Sequence, residues 1–373
     1  NSPVIIEGLS FRTNPNLSFE VQADKITSKS LLNAQSLHLT TKPLSIKPRT
    51  IDAQSLYLDI YEIKKLFNND KKEKKSFNLK FFPITNIKKA YLKLDSKGKT
   101  FIEFNNIESH KEGFKIVCKF IGKVQSPYTS EPVTAGKSGR IHYLNKLYFE
   151  DLSVDFAKST LILDGAIDNL TFKGKELPAK ELEAAFLYFY KLKHPNKKNF
   201  IENFTNFKGT LDADLKYSKK GLKGKCIAHN LGADFSKFKI PVLLPHVKFN
   251  FENRTIYAKA NGTFGGEDVY TDVFIEGLFT KLIHTIGNVH SKRLTNSFSS
   301  KYFKPVQIIG SADAKVKYEV QKSVDIDYIL TVPKGSDLVT RLGNLDNTDK
   351  IRQIIAHTHK EGNNLYLKDY NYS

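Results

Sequence analysis

Apolar and polar residues alternate one for one along most of this chain. Leu17, Phe19, Val21 and Ala23 fall on one parity, as do Leu56, Leu58 and Ile60, then Ala90, Leu92 and Leu94, then Phe114, Ile116, Cys118 and Phe120. The rhythm continues through Val247, Phe249 and Phe251, then Ile256, Ala258, Ala260 and Phe264, then Val269, Thr271, Val273 and Ile275, and then Val324, Ile326, Tyr328 and Leu330. Lys, Asp, Glu, Asn and Thr stand between these positions. Successive side chains of a strand point to opposite faces, so the spacing predicts antiparallel strands with one apolar and one wetted face. About fifteen to twenty strands are expected. Tight polar turns at Asp95-Ser96-Lys97-Gly98, Lys219-Lys220-Gly221 and Glu252-Asn253-Arg254 join them, and Gly265-Gly266 reads as a β-turn between two strands.

Helical spacing is confined to short stretches. Leu182, Ala185, Phe186, Phe189 and Leu192 follow Pro178, a proline suited to a first helical turn, and a second short helix is expected over 199–206. Further helices are expected near 281–303 and near 336–356, where Leu338, Leu342 and Leu345 precede Ile351, Ile354 and Ile355. The lysine-rich segment 64–76 is expected to be a solvated loop, and 125–139, rich in Pro, Ser, Thr and Gly, to be a joint. This divides the chain into an N-terminal β module over 1–124, the joint over 125–139, and a repeated β module over 140–373 with short helices near 178–206, 281–303 and 336–356.

One strand occurs twice. GTLDADLKY, residues 209–217, and GSADAKVKY, residues 310–318, share Gly, Asp, Ala, Lys and Tyr at the same places. What they keep in common is an apolar wall, Leu211, Ala213, Leu215 and Tyr217 in the first copy and Ala312, Ala314, Val316 and Tyr318 in the second. Val247, Phe249 and Phe251, with Ile256, Ala258 and Ala260, extend the same kind of wall between them. A repeated unit with a fixed order of elements points to stacked architecture. So few helices cannot cover so many half-apolar strands. The sheet therefore either closes on itself or leaves an apolar groove. The expected fold class is all-β with minor α: a long, curved antiparallel sheet forming an elongated apolar groove, with a few short helices.

Charge and chemistry add less. The net charge is +19, yet only seven of the 58 basic residues are Arg and the rest are Lys. Nucleic-acid readers lean on the planar arginine fork, so a solubilising or lipid-facing lysine surface is expected and no nucleic-acid partner. Cys118 and Cys226 sit in alternating strands and are expected to be buried free thiols. The ten histidines show no metal-ligand spacing; His357 and His359 come closest, without further ligands. Gly265-Gly266 lacks the rest of any phosphate-loop signature, and no Gly-x-Ser-x-Gly elbow is present. Asp212 and Asp214 share a strand face, but the second copy has Lys315 in place of the second Asp. No catalytic residue, cofactor or metal is expected, and no enzyme.

The segments ITSKSLLNAQSLHLTTKPLSIKPRTIDAQSLYLDI (26–60) and FFPITNIKKAYLKL (81–94) resemble the opening of bacterial AsmA-family proteins. Residues 200–278, with short helix, Gly, strand, Pro, strand and Gly-Gly turn in that order, are similar to the YhdP and TamB branches of that superfamily. Phe204 or Phe207 stands where the family often has Trp before the Gly. The resemblance implies a periplasmic groove protein that shields phospholipid acyl chains between the inner and outer membranes. Its partners would be those acyl chains, the inner membrane through an N-terminal anchor not included in this chain, and an outer-membrane or envelope protein. With Asn1 first and no Met, a fragment or processed product is expected. The alternative from the residues alone is a structural β-sandwich or solenoid, a scaffold or adhesin with a closed protein core.

Overall fold

In the computed structural model, the residues described are 4–373 apart from 29–30, 42–47, 63–83, 96–98, 126–131, 157, 185–186, 188–199, 237–238, 278–282, 296–305, 322, 341–342, 346–350 and 363. The chain is all-β and mostly antiparallel, with 26 strands among the described residues and only short helical pieces. It divides into two compact units, Asn1–Phe172 and Lys173–Ser373. The division does not fall at 125–139; there Val133–Ala135 is itself a strand that pairs on both sides. The lysine-rich segment 64–76 lies outside the described residues.

The first unit begins with β1 (Val4–Glu7) and β2 (Ser10–Thr13), both paired to β3 (Phe19–Ser28). Antiparallel pairing runs on through β4 (Leu32–Thr41) and β5 (Pro48–Asp59). β6 (Ile84–Lys93) then pairs with β5 in parallel, Leu56 beside Ala90. This one parallel pair departs from the alternation-based expectation. Residues 60–83 intervene, and a parallel return needs such a long crossover, whereas a hairpin gives an antiparallel one. The order continues antiparallel through β7 (Phe101–Glu112), β8 (Lys115–Gln125), β9 (Val133–Ala135) and β10 (Arg140–Tyr143) to β11 (Leu147–Phe156) and β12 (Ser159–Ala166). One apolar row crosses it: Ile26, Ala34, Leu56, Ala90, Phe104, Gly122, Ala135 and Val154 are successive partners. Ser36 and Asn106 adopt left-handed backbone (φ 50° and 51°) inside their strands. Such irregularities reset the parity, so Leu37 and Ile107 pack with Leu56 and Phe104 around buried Ala53, Ile87 and Ala90. Phe114 does not share the buried face with Phe120: it sits in the turn between β7 and β8 and is 93% exposed.

β13 (Asn169–Pro178) runs across the division. The second unit contains β14 (Phe204–Ser218), β15 (Gly221–Phe235), β16 (Ile240–Asn253), β17 (Thr255–Phe264), β18 (Glu267–Glu276) and β19 (His284–Thr295), each antiparallel to the next. β21 (Ser311–Val320) then pairs with β19, and β22 (Val324–Val332), β25 (Arg352–Glu361) and β26 (Asn364–Tyr372) follow. A separate small sheet holds β20 (Val306–Ile309), β23 (Asp337–Thr340) and β24 (Gly343–Leu345). The hairpin between β17 and β18 turns on Gly265 and Gly266, both at positive φ, as a two-residue turn of that hand requires.

Three helical expectations need correction. Helix does begin right after Pro178, over 179–184, while 188–199 lie outside the described residues. The stretch 199–206 is a 3₁₀ turn, Phe200–Asn203, that gives way to β14 at Phe204. Residues 284–295 are strand, because pairing with both β18 and β21 satisfies the backbone on two sides and Thr285, Ile286 and Val289 suit it. Near 336–356 the leucine spacing comes from a hairpin: Leu338 and Leu345 are cross-strand partners. Seven residues apart is helical spacing and also the span of a tight hairpin, and Gly343 favours the latter.

Candidate functional site

Cross-strand partners project from the same face of a sheet, so the register of the second unit shows which side chains share one surface. One row reads Leu211, Ala228, Val247, Ala260, Thr271, Val289, Val316 and Tyr328. The next reads Ala213, Cys226, Phe249, Ala258, Val273, Gly287, Tyr318 and Ile326. A third reads Leu215, Gly224, Phe251, Ile256, Ile275, Thr285, Val320 and Val324. Tyr217 lies one step beyond, opposite Leu222, while Ala314 pairs with Ser291 and Ala312 with Leu294 at the other end of their strands. All fourteen residues expected to form the apolar wall therefore lie on one face. Periodicity did not single out Val289 and Gly287, which register alone brings into the rows.

Small and large residues take different places on this face. Ala228, Val247, Ala258 and Ala260 are buried beneath Leu211, Leu231, Leu244, Phe249 and Val273. Leu211, Leu215, Phe249, Phe251, Ile256 and Val316 stay half-buried. Tyr318 lies over Gly287, where an added Cβ would meet its ring at 2.2 Å. Burial pushes the Tyr318 hydroxyl pKa up, with Asp272 adding to it. At the start of β21 the face is covered: Ile308 and Leu338 from the small sheet pack on Ala312 and Val332, joined by Leu294, Leu330 and Ile354. Ala312, at 1% exposure, is sealed by the small sheet, and Val247, Ala258 and Ala260 are buried among their larger neighbours on the face, so these four of the expected wall residues do not line an open groove.

The opposite face carries the polar residues, and five of its histidines are held by carboxylates. His229 Nε2 lies 3.1 Å from Asp212 and His290 Nε2 2.9 Å from Asp313, the same Asp of the two repeat copies. His284 contacts Glu319 at 2.8 Å, His359 contacts Asp325 at 2.7 Å, and His357 bonds Asp327. Asp212 also accepts the Glu176 backbone N–H at 2.8 Å, and that bond, with His229 behind it, holds its carboxyl below the usual range. Among the described residues no cluster of His, Cys, Asp and Glu has the arrangement to hold a metal.

Both cysteines are free thiols. Cys226 is buried, and burial pushes its thiol up to about 11. Cys118 is only partly buried, short of the full burial expected. Among the described residues no helix is long and apolar enough to cross a membrane. Compared with protein-family models, with curated proteins and with solved structures, the chain matches none.

Proposed function

We propose that this chain is a periplasmic groove protein, which shields the acyl chains of phospholipid on the apolar face of its second unit while the lipid passes between inner and outer membranes. The observation that carries the reading is the three-row apolar face, unbroken by any charged side chain from β14 through β22. Two acyl chains of about sixteen carbons cost on the order of 25 kcal/mol to expose, at about 0.8 kcal/mol per CH₂. Only a continuous apolar surface offsets that, and eight strands about 4.8 Å apart extend one for roughly 35 Å. The lipid is held by area, and no catalytic group is called for. The resemblance to AsmA-like proteins supports the same reading, with an inner-membrane anchor outside this chain and an envelope protein as a downstream partner.

The test is photo-crosslinking from Leu215 and Val316 in cells, with native mass spectrometry of the gently purified protein. Phospholipid is expected at both positions and none at Ala312, which the small sheet covers. Absence of lipid from all three positions and from the spectrum overturns the proposal in favour of a scaffold with a closed protein core.

A further inference from the structure

The polar face has a feature the lipid reading does not use. The ladder between β18 and β19 ends at Tyr270 and His290, and β19 then bulges between Ser291 and Leu294. The bulge sets Lys292 and Arg293 side by side in the chain. Beyond it Thr295 Oγ1 donates to Glu267, which ties the two strands together again. The parted strands leave a cavity of about 700 Å³ lined by Lys292, Arg293, Asn261, Thr263, Tyr270 and His290, with Asp268 at its wall. A neighbouring cavity of about 420 Å³ shares Tyr270 and His290 and adds Lys315 and Lys317, with Asp272 and Asp327 also at its wall.

Lys292, Arg293, Lys315 and Lys317 form no ion pair with another described residue. Exposed lysines elsewhere on this chain do find acids, as Lys223 finds Glu252 at 3.3 Å. Four cations in no ion pair thus line two adjoining hollows of a volume typical for small ligands, against three wall carboxylates, Asp268, Asp272 and Asp327, of which Asp327 is engaged by His357. His290 is fixed by Asp313, Tyr270 is an exposed aromatic residue, and Asn261 and Thr263 add hydrogen-bonding groups. Arg beside Lys suits a phosphate, and amide, hydroxyl and aromatic groups suit the hydroxyl-bearing body of its ester.

We infer that the parted β18–β19 edge binds a phosphate ester with a hydroxyl-rich body, a sugar or glycerol phosphate or a lipid head group of that chemistry. The site lies on the face opposite the apolar rows and does not depend on the lipid reading. Its test is calorimetric titration of the purified chain with glucose 1-phosphate, glycerol phosphate and unphosphorylated glucose, beside flotation with vesicles of phosphatidylglycerol in phosphatidylcholine. Saturable binding of a soluble ester is expected, weakened about tenfold or more in K292A/R293A and weakened also in Y270A. K223A, on a different part of the face, is expected to bind as the unaltered chain does. Binding of vesicles alone, lost in K292A/R293A, assigns the ligand to a lipid head group. Circular dichroism checks that the variants fold, and these side chains are exposed on a bulge. No binding of either kind, or binding untouched by K292A/R293A and by R293E, overturns the inference.

Discussion

The two copies of the repeated strand begin alike and then part company. Gly209 and Gly310 both open their copy at φ +93°, and both copies direct their Asp at a histidine of an adjacent strand, Asp212 at His229 and Asp313 at His290. What precedes the glycine differs. In the first copy Phe204 to Lys208 stay in the large sheet, paired with β15. In the second, β20 leaves it, pairs with β23 and folds Ile308 over Ala312. The first copy therefore presents a half-buried wall and the second a sealed one at its start. The nine repeated residues encode the strand; the segment before the glycine decides whether its apolar face is open.

The largest effect expected from breaking this contrast is at the seal. Leu338→Ala, at 2% exposure, should cost about 2–4 kcal/mol in denaturant unfolding, while Leu215→Ala in the open wall should cost about 1 kcal/mol or less. Equal losses at the two sites would erase the distinction. The glycines come next. A Cβ at Gly209 would meet the backbone oxygen of Asn230 at 2.4 Å, whereas at Gly310 it would meet the Ser336 hydroxyl at 2.4 Å. A backbone oxygen cannot swing aside, so Gly209→Ala should lose about 2–3 kcal/mol and Gly310→Ala about 1–2 kcal/mol, both bearing the strain of positive φ. A thermal unfolding comparison checks the order.

Gly287→Ala touches the second copy alone. It should cost about 1–3 kcal/mol by displacing the Tyr318 ring, and a good part of that loss should disappear in a Tyr318→Ala background. If the two substitutions prove additive, Tyr318 does not rest on Gly287. The smallest effect is electrostatic. Asp212 is held below its ordinary pKa by the Glu176 N–H and by His229. Its stabilisation is present above the unfolded-state pKa of about 3.9 and is lost as pH falls through the lower folded-state value. Asp212→Asn should therefore cost under about 1 kcal/mol at pH 7, discounted for its exposure, and the gap should close in acid. In the second copy the single His290 contact predicts a loss no larger for Asp313→Asn. A gap at Asp212 that widens on acidification would contradict this sign.

Most of the strands were legible because a half-wetted strand must alternate, and segment after segment between Leu17 and Leu330 does so. The strands of three or four residues, such as β9, β20 and β24, were not, being too short to show a period. Leu338 and Leu345 misled because hairpin partners and successive helical turns can share a spacing. The shared parity of the fourteen wall residues was legible, but Val289 and Gly287, which complete the rows, were not. That Ala312 is covered was not, since an alanine facing a groove and one facing a plug carry the same letter. The hollow between β18 and β19 left no signal either: Lys292 and Arg293 look like ordinary surface charge until a bulge aims both at one opening.

The sequence by itself settled that this protein is built of strands with one apolar face and that the face recurs in GTLDADLKY and GSADAKVKY. Those are properties of neighbours in the chain, fixed by side-chain parity. Only the tertiary structure decided the parallel return at β6, the pairing of each repeat Asp with a histidine seventeen or more residues away, and the folding of β20 and β23 over the second copy. These are contacts between residues far apart in sequence, and they rest on which strand lies beside which, a choice that alternation leaves open.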